Sequence, residues 1–210
     1  MAAKTKSKGN NNRELAKEKR REQILRAASK IFAKKGYHHT SVSEVVGKCG
    51  MAQGTFYLYF KNKRDVFEAL LDEFTGNVYR AFFIPGAEEV KTKEQLSQRL
   101  LAAAQSAIEM LISNKDLARI FLVEAAAREP GFDPKVAAFY ERITTNAAAN
   151  MKQWMDRGLL RRADPAVIAH CVVAMTERVT MQWMNGVLNG DIESIAEEIV
   201  KFELSGILAK

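Results

Sequence analysis

The chain has 210 residues, 47% of them hydrophobic and 27% charged, with a formal net charge of +7. That length supports one large domain or two modest ones with a real core. No apolar run reaches the about 20 residues of a membrane span, and the polar start MAAKTKSKGNNN does not read as a secretory signal. Cys49 and Cys171 are far apart in sequence and both fall on apolar faces, so they are expected as small buried hydrophobes of a reducing cytoplasm rather than a disulfide.

Charge is distributed unevenly. Residues 1–65 hold 16 Lys and Arg against 5 Asp and Glu, whereas residues 66–210 hold 16 against 20. Positive potential is therefore concentrated at one end, as expected of a segment that meets a polyanion. Residues 1–12 are too polar to pack and are expected to be a disordered basic tail. Whether that tail adds phosphate contacts or is inert is open at this level.

An amphipathic helix is predicted from about Glu14 to Lys35, with Ile24, Ala28, Ile31 and Phe32 on one face and Gly36 closing it. Ser41 and Glu44 fit a capping box, so a short helix begins near Val42. Val42, Val45, Val46 and Cys49 form its apolar face, and Gly50 suits the left-handed turn that stops it. The next helix is expected over Met51–Phe60. Ala52, Phe56 and Phe60 would point inward, leaving Gln53, Thr55, Tyr57 and Tyr59 on other faces. Gly54 within that helix suggests a close backbone approach to a neighbouring helix or to DNA. Asn62 and Asp65 mark a further cap. Lys61, Lys63 and Arg64 sit at its N-terminal end, where cations are disfavoured unless a phosphate is the guest. Two short helices joined by a tight turn constitute a helix-turn-helix, whose second helix reads a DNA groove.

About residues 20–72, including GMAQGTFYLYFKNKRDVF, resemble the N-terminal domain of the tetracycline-repressor (TetR) family of bacterial transcription regulators. The resemblance implies an all-α homodimer of about nine helices. It implies an N-terminal three-helix DNA-binding domain over 13–65 and a C-terminal effector-binding and dimerisation domain over 66–210. By position, Thr40 and Lys63 resemble phosphate clamps, Tyr59 a DNA-backbone contact, and Gln53, Thr55 and Tyr57 readers of base edges. Ser41, Gly54 and Lys61 complete the expected DNA surface. Ala52 stands where many relatives have a hydroxyl residue, and Gln53 where many have lysine, so base preference does not transfer from them. The function implied is a repressor released from a palindromic operator on double-stranded DNA by a small lipophilic ligand. The alternative is a DNA-bound adaptor of the same fold that answers to a protein partner.

Beyond residue 65 the helices are marked by their caps. The fourth is predicted from Lys63 to about Phe83, stopping before Pro85-Gly86. Thr92 and Gln95 open one that runs to about Ser113, and another spans Lys115 to about Arg128. Asp133-Pro134 opens a helix ending near Gly158, Asp164-Pro165 opens one ending near Gly186, and the last covers Ile192 to about Leu208. By the resemblance, the last two pair with a second copy. Val172, Met175, Val179, Met181 and Trp183, with Ile195, Ile199, Phe202 and Ile207, offer the apolar surface.

Candidate linings of an effector pocket are Phe74, Met110, Phe121, Tyr140, Trp154, Met175 and Trp183, each of which also reads as ordinary core. Glu124, in FLVEAAA, would need a partner if buried, with Arg128, Arg178 or a ligand as the options. His170 reads as a core or interface histidine, with no second ligand at metal-binding spacing, and His38 and His39 lie between the first two helices. No phosphate loop, dinucleotide fingerprint, nucleophile elbow or zinc helix is present, so neither an enzyme nor a cofactor is expected.

Overall fold

The computed structural model describes residues 3–84, 86–121 and 133–208, with side chains from Asn12 onward. Among the described residues the fold is nine α-helices: α1 Ala3–Lys35, α2 Val42–Cys49, α3 Gln53–Phe56, α4 Lys63–Phe82, α5 Lys93–Ser113, α6 Lys115–Arg119, α7 Asp133–Asp156, α8 Pro165–Met184 and α9 Ile192–Ile207. A short 3-10 turn, Ala87–Glu89, joins α4 to α5.

The helix starts follow their capping chemistry. Ser41 accepts from the Glu44 amide while the Glu44 carboxylate accepts from the Ser41 amide, a complete capping box. Asn62 accepts from the Asp65 amide, Thr92 from that of Gln95, and Asp164 from those of Ala166 and Val167, ahead of Pro165. Gly50 ends α2 at φ 62°, ψ 37°, a left-handed conformation in which its amide satisfies carbonyls of the last turn.

Two predicted elements differ in extent, and the end of a third, predicted to run from Lys115 to about Arg128, lies outside the described residues. α1 extends back to Ala3 rather than starting near Glu14, so the segment expected as a disordered tail is helical from its third residue. Thr5, Ser7, Gly9 and Asn10 to Asn12 are all weak helix formers, so this stretch extends a helix nucleated further along α1 instead of starting one by its own propensity. α3 is one turn, Gln53–Phe56, instead of Met51–Phe60. Its cap residue, Ala52, has no side-chain acceptor, and the chain beyond Phe56 tightens into Leu58 N to Thr55 O and Tyr59 N to Phe56 O bonds. Ala52 is exposed rather than inward, whereas Phe56 and Phe60 are buried as expected.

One apolar cluster runs through both expected domains. It begins at Ile24, Val45 and Phe56 in the first three helices, continues along α4 through Phe67, Leu70 and Phe74, and reaches Phe121, Ile143 and Val173. α1 packs on α2, α4 and α6, α5 on α4 and α9, and α7 on α8. The helix-turn-helix therefore rests on α1, which packs on the same helix, α4, that forms part of the C-terminal core. Close-packed interiors transmit displacement because they have little free volume to absorb it.

Candidate functional site

The loop after α1 and the α2–α3 unit are held by specific polar ties. Gln23 Nε2 donates to the Cys49 carbonyl at 2.9 Å, fixing the end of α2 against α1. Lys35 on α1 pairs with Glu44 on α2. That ammonium and the Ser41 backbone hold the Glu44 carboxyl well down, at about 2. With α2 thus fixed, α3 projects from the domain. Gln53, Gly54, Tyr57 and Lys61 are exposed, and Thr55 is half-buried. Tyr57 is 52% exposed with its ring edge-on to the buried Phe56, an arrangement that steadies an outward aromatic. Nothing lies within 4 Å of where a Cβ on Gly54 would stand, so no neighbouring helix occupies that space and an external surface can approach it.

Four expected contact residues have partners within the protein. Thr40 is buried, and its hydroxyl donates to the Gly36 carbonyl at 2.8 Å; its side chain caps α1 rather than facing outward. Lys63 Nζ donates to the Tyr37 carbonyl at 2.7 Å and sits 4.3 Å over the Tyr37 ring, so its charge is engaged within the protein. Ser41 is exposed but its oxygen serves the capping box. Tyr59 is half-buried and packs on the core. Leu58 lies between the two tyrosines and is 74% exposed. Sequence reasoning passed over it because an apolar residue in a helical pattern is ordinarily read as core. It borders a shallow groove with Leu15, Tyr59 and four charged side chains of α1, Glu14, Lys17, Glu18 and Arg21.

The effector candidates divide. Phe74, Phe121 and Tyr140 line one small cavity with Phe139 and Glu177, and Trp154 lines a second, of about 70 Å³. The two cavities share Phe82, Ile143 and Val173 as a common wall. Met110 packs on the main core, and Met175 packs on a separate cluster with Ile108 and Ile199. Trp183 donates to the Gly190 carbonyl at 2.8 Å. None of these three is among the described residues lining either cavity. Glu124 and Arg128 lie outside the described residues.

Sequence reasoning found Tyr140 but missed the acids of these cavities, Glu177 and Glu203. Tyr140 donates to Glu177 Oε2 at 2.7 Å. Burial, then the facing carboxylate, pushes the phenol up; burial also raises Glu177, against the hydrogen bond it receives. Glu203 on α9 is 8% exposed, with Oε1 lacking a hydrogen-bond partner among the described residues, and desolvation pushes its carboxyl up to about 7. Asn146, Asn150 and Thr176 line the same cavity as Glu203. In the sequence Glu203 is a single charge between Phe202 and Leu204, with nothing to mark it as buried.

The outer face of α8 and α9 is also partly corrected. Ile199 and Ile207 are buried within the chain, while Phe202 is 70% exposed and Val167 56% exposed. His170 and Cys171 are exposed on α8, where a core histidine and a buried thiol were among the expectations. Both sit at exposed positions, which periodicity alone does not distinguish from inward ones.

An outward α3 turn beside a cationic α1, mounted on a helical body with buried cavities, defines a helical DNA-binding regulator. The family model "Bacterial regulatory proteins, tetR family" matches residues 24–70. The HTH-type transcriptional regulator YdgC of Bacillus subtilis is 30% identical over 193 residues, covering 90% of this chain and 93% of that protein. The chain belongs to the TetR family of bacterial transcriptional regulators. The solved structure of FadR from Bacillus subtilis in complex with stearoyl-CoA aligns with a TM-score of 0.72 at 20% identity, covering 88% of this chain and 97% of that one. AibR in complex with isovaleryl coenzyme A and operator DNA aligns with a TM-score of 0.69 at 21% identity, covering 87% and 97%.

Proposed function

We propose that this protein is a homodimeric repressor that holds a palindromic operator through its α3 turn and leaves it when a small lipophilic effector enters the cavities between α4, α5, α7 and α8. The observation that carries the reading is continuity. The apolar cluster behind Phe56 extends without a break along α4 to Phe74 and Phe121, which wall a cavity. A ligand that separates those walls displaces α4, on which α1 and with it the DNA-reading unit are packed, which is the differential contact an allosteric release requires.

The cavity beside Trp154, at about 70 Å³, is far below the about 300–1,000 Å³ of occupied ligand sites, so effector entry must widen it. The relatives solved with stearoyl-CoA and with isovaleryl coenzyme A support an acyl or similarly lipophilic effector class. Phe202 and Val167, exposed on the last two helices, support pairing with a second copy, which spaces two reading heads for two half-sites.

The test is selection of bound duplexes from a random pool, followed by release of the selected operator on titration with lipophilic metabolites. A palindromic selected site and release by one compound class are expected. Retention under every compound, with release by a protein from the same cell, would favour the adaptor reading instead.

A further inference from the structure

Two acids are sunk into the cavity walls, and their situations differ. Glu177 already receives the Tyr140 hydroxyl at 2.7 Å. Glu203, nine-tenths buried, has an oxygen with no partner among the described residues. It lines the cavity beside Trp154, whose described lining contains no lysine, arginine or histidine. Around it stand Asn146, Asn150 and Thr176, with an otherwise apolar wall.

A lone carboxyl in an apolar wall must be met by a hydrogen-bond donor or remain unsatisfied. An unsubstituted hydrocarbon chain passing this point leaves the Glu203 oxygen facing methylenes. A carboxylate or phosphate head placed here finds no counter-cation in the described lining and is repelled by the ionised form of Glu203. A protonated amine satisfies both the free oxygen and the charge, and its hydrocarbon body fits the apolar remainder.

Resting on the lipophilic-effector reading above, we propose that Glu203 is the polar recognition point of that cavity and selects an amphiphile whose head is an amine over one whose head is an anion. The carboxyl's elevation to about 7 is consistent with a group that gives up its proton when a cation arrives. The adjoining cavity, sharing Phe82, Ile143 and Val173, offers the direction in which the apolar body extends.

Calorimetric titration of the intact protein with octylamine, octan-1-ol, octanoate and octanoyl-coenzyme A tests this, in parallel on wild type, Glu203→Gln and Glu203→Leu. Octylamine is expected to bind wild type about tenfold or more tighter than octanoate. That preference should collapse in both variants, while their binding to duplex DNA is kept. Using two variants separates loss of recognition from loss of folding, since leucine suits the apolar wall even where glutamine does not. Equal or tighter binding of octanoate to wild type, or an amine preference unchanged in the variants, overturns the proposal. If octanoyl-coenzyme A binds and releases DNA irrespective of residue 203, the lipophilic-effector reading stands and only the assignment to Glu203 falls. If none of the four binds, both fall.

Discussion

The ammonium of Lys63 lies 2.7 Å from the Tyr37 carbonyl, which ties the first residue of α4 to the turn that follows α1. The same ammonium covers the Tyr37 ring, which itself stacks against the buried Phe67 at 4.6 Å between centroids. Lys63 therefore orders the base of the helix-turn-helix. Lys63→Ala should lower stability by about 1–2 kcal/mol, the worth of a partly exposed charged hydrogen bond with a cation–π contact. Lys61→Ala, at an exposed site, should leave the melting temperature unchanged and reduce the salt dependence of DNA binding by about one counterion. Paired melting and salt-titration curves separate the two roles. Equal melting temperatures for the two variants would refute the assignment of Lys63.

Gln53 and Tyr57 are exposed polar side chains of α3 and its turn, which the proposed function sets against base edges. Gln53→Ala should cost about 1–3 kcal/mol against the selected operator and relax preference at one base position, the signature of a lost bidentate contact. Tyr57→Ala should weaken operator binding while non-specific binding at low salt persists. Competition between the operator and a scrambled duplex measures both. Full operator affinity in the Tyr57 variant would remove α3 from the groove.

Glu203 makes stability depend on pH with a defined sign. Its carboxyl titrates at about 7 in the fold against an ordinary value of 4.5. Below pH 4.5 both states are protonated and the group contributes nothing. As pH rises from 4.5 towards 7, the unfolded chain ionises while the fold holds its proton, and stability is lost progressively. Above pH 7 the penalty levels at on the order of 3 kcal/mol. Glu203→Gln should therefore be more stable than wild type at pH 8 and equal to it near pH 4, by denaturant titration. A difference independent of pH would show that this carboxyl does not titrate as its burial requires.

Tyr140→Phe removes the donor from Glu177 without changing shape. The half-buried carboxylate then loses its partner, at a cost of about 1–3 kcal/mol at neutral pH. The cost should shrink in acid, because the neutral acid loses less than the carboxylate when the phenol is removed. Chemical denaturation at pH 4 and pH 7.5 checks it; a deficit larger at pH 4 would contradict this account.

Phe202 is 70% exposed on a helix whose other large apolar residues are buried or half-buried in the chain. Phe202→Asp should leave the monomer fold intact and shift sedimentation from dimer to monomer at micromolar concentration, since a desolvated aspartate opposes an isologous apolar contact. Unchanged sedimentation would place the subunit interface elsewhere.

Much of the helical layout was legible from local chemistry. Ser41, Asn62, Thr92 and Asp164 each announced a helix start, because a cap is a contact between residues two to three positions apart. The outward direction of Tyr57 followed from Phe56 and Phe60 taking the inward face. The ties of Thr40 and Lys63 to the Gly36 and Tyr37 carbonyls were not legible, because no side-chain pattern reveals a backbone partner. The length of α3 was overestimated because apolar spacing continues to Phe60 while backbone bonding tightens after Phe56.

The order and type of the elements, the location of the positive charge and the family were written in the sequence alone. Each depends on composition, on spacing within a turn, or on the ordered run from Gly50 to Phe67. Which of the two acids retains an unsatisfied oxygen, which aromatics line the cavities and which apolar residues of α8 and α9 remain outside were decided only in three dimensions. Those outcomes depend on contacts between helices distant in sequence, such as Tyr140 with Glu177, and helical periodicity specifies a face without specifying what will lie against it.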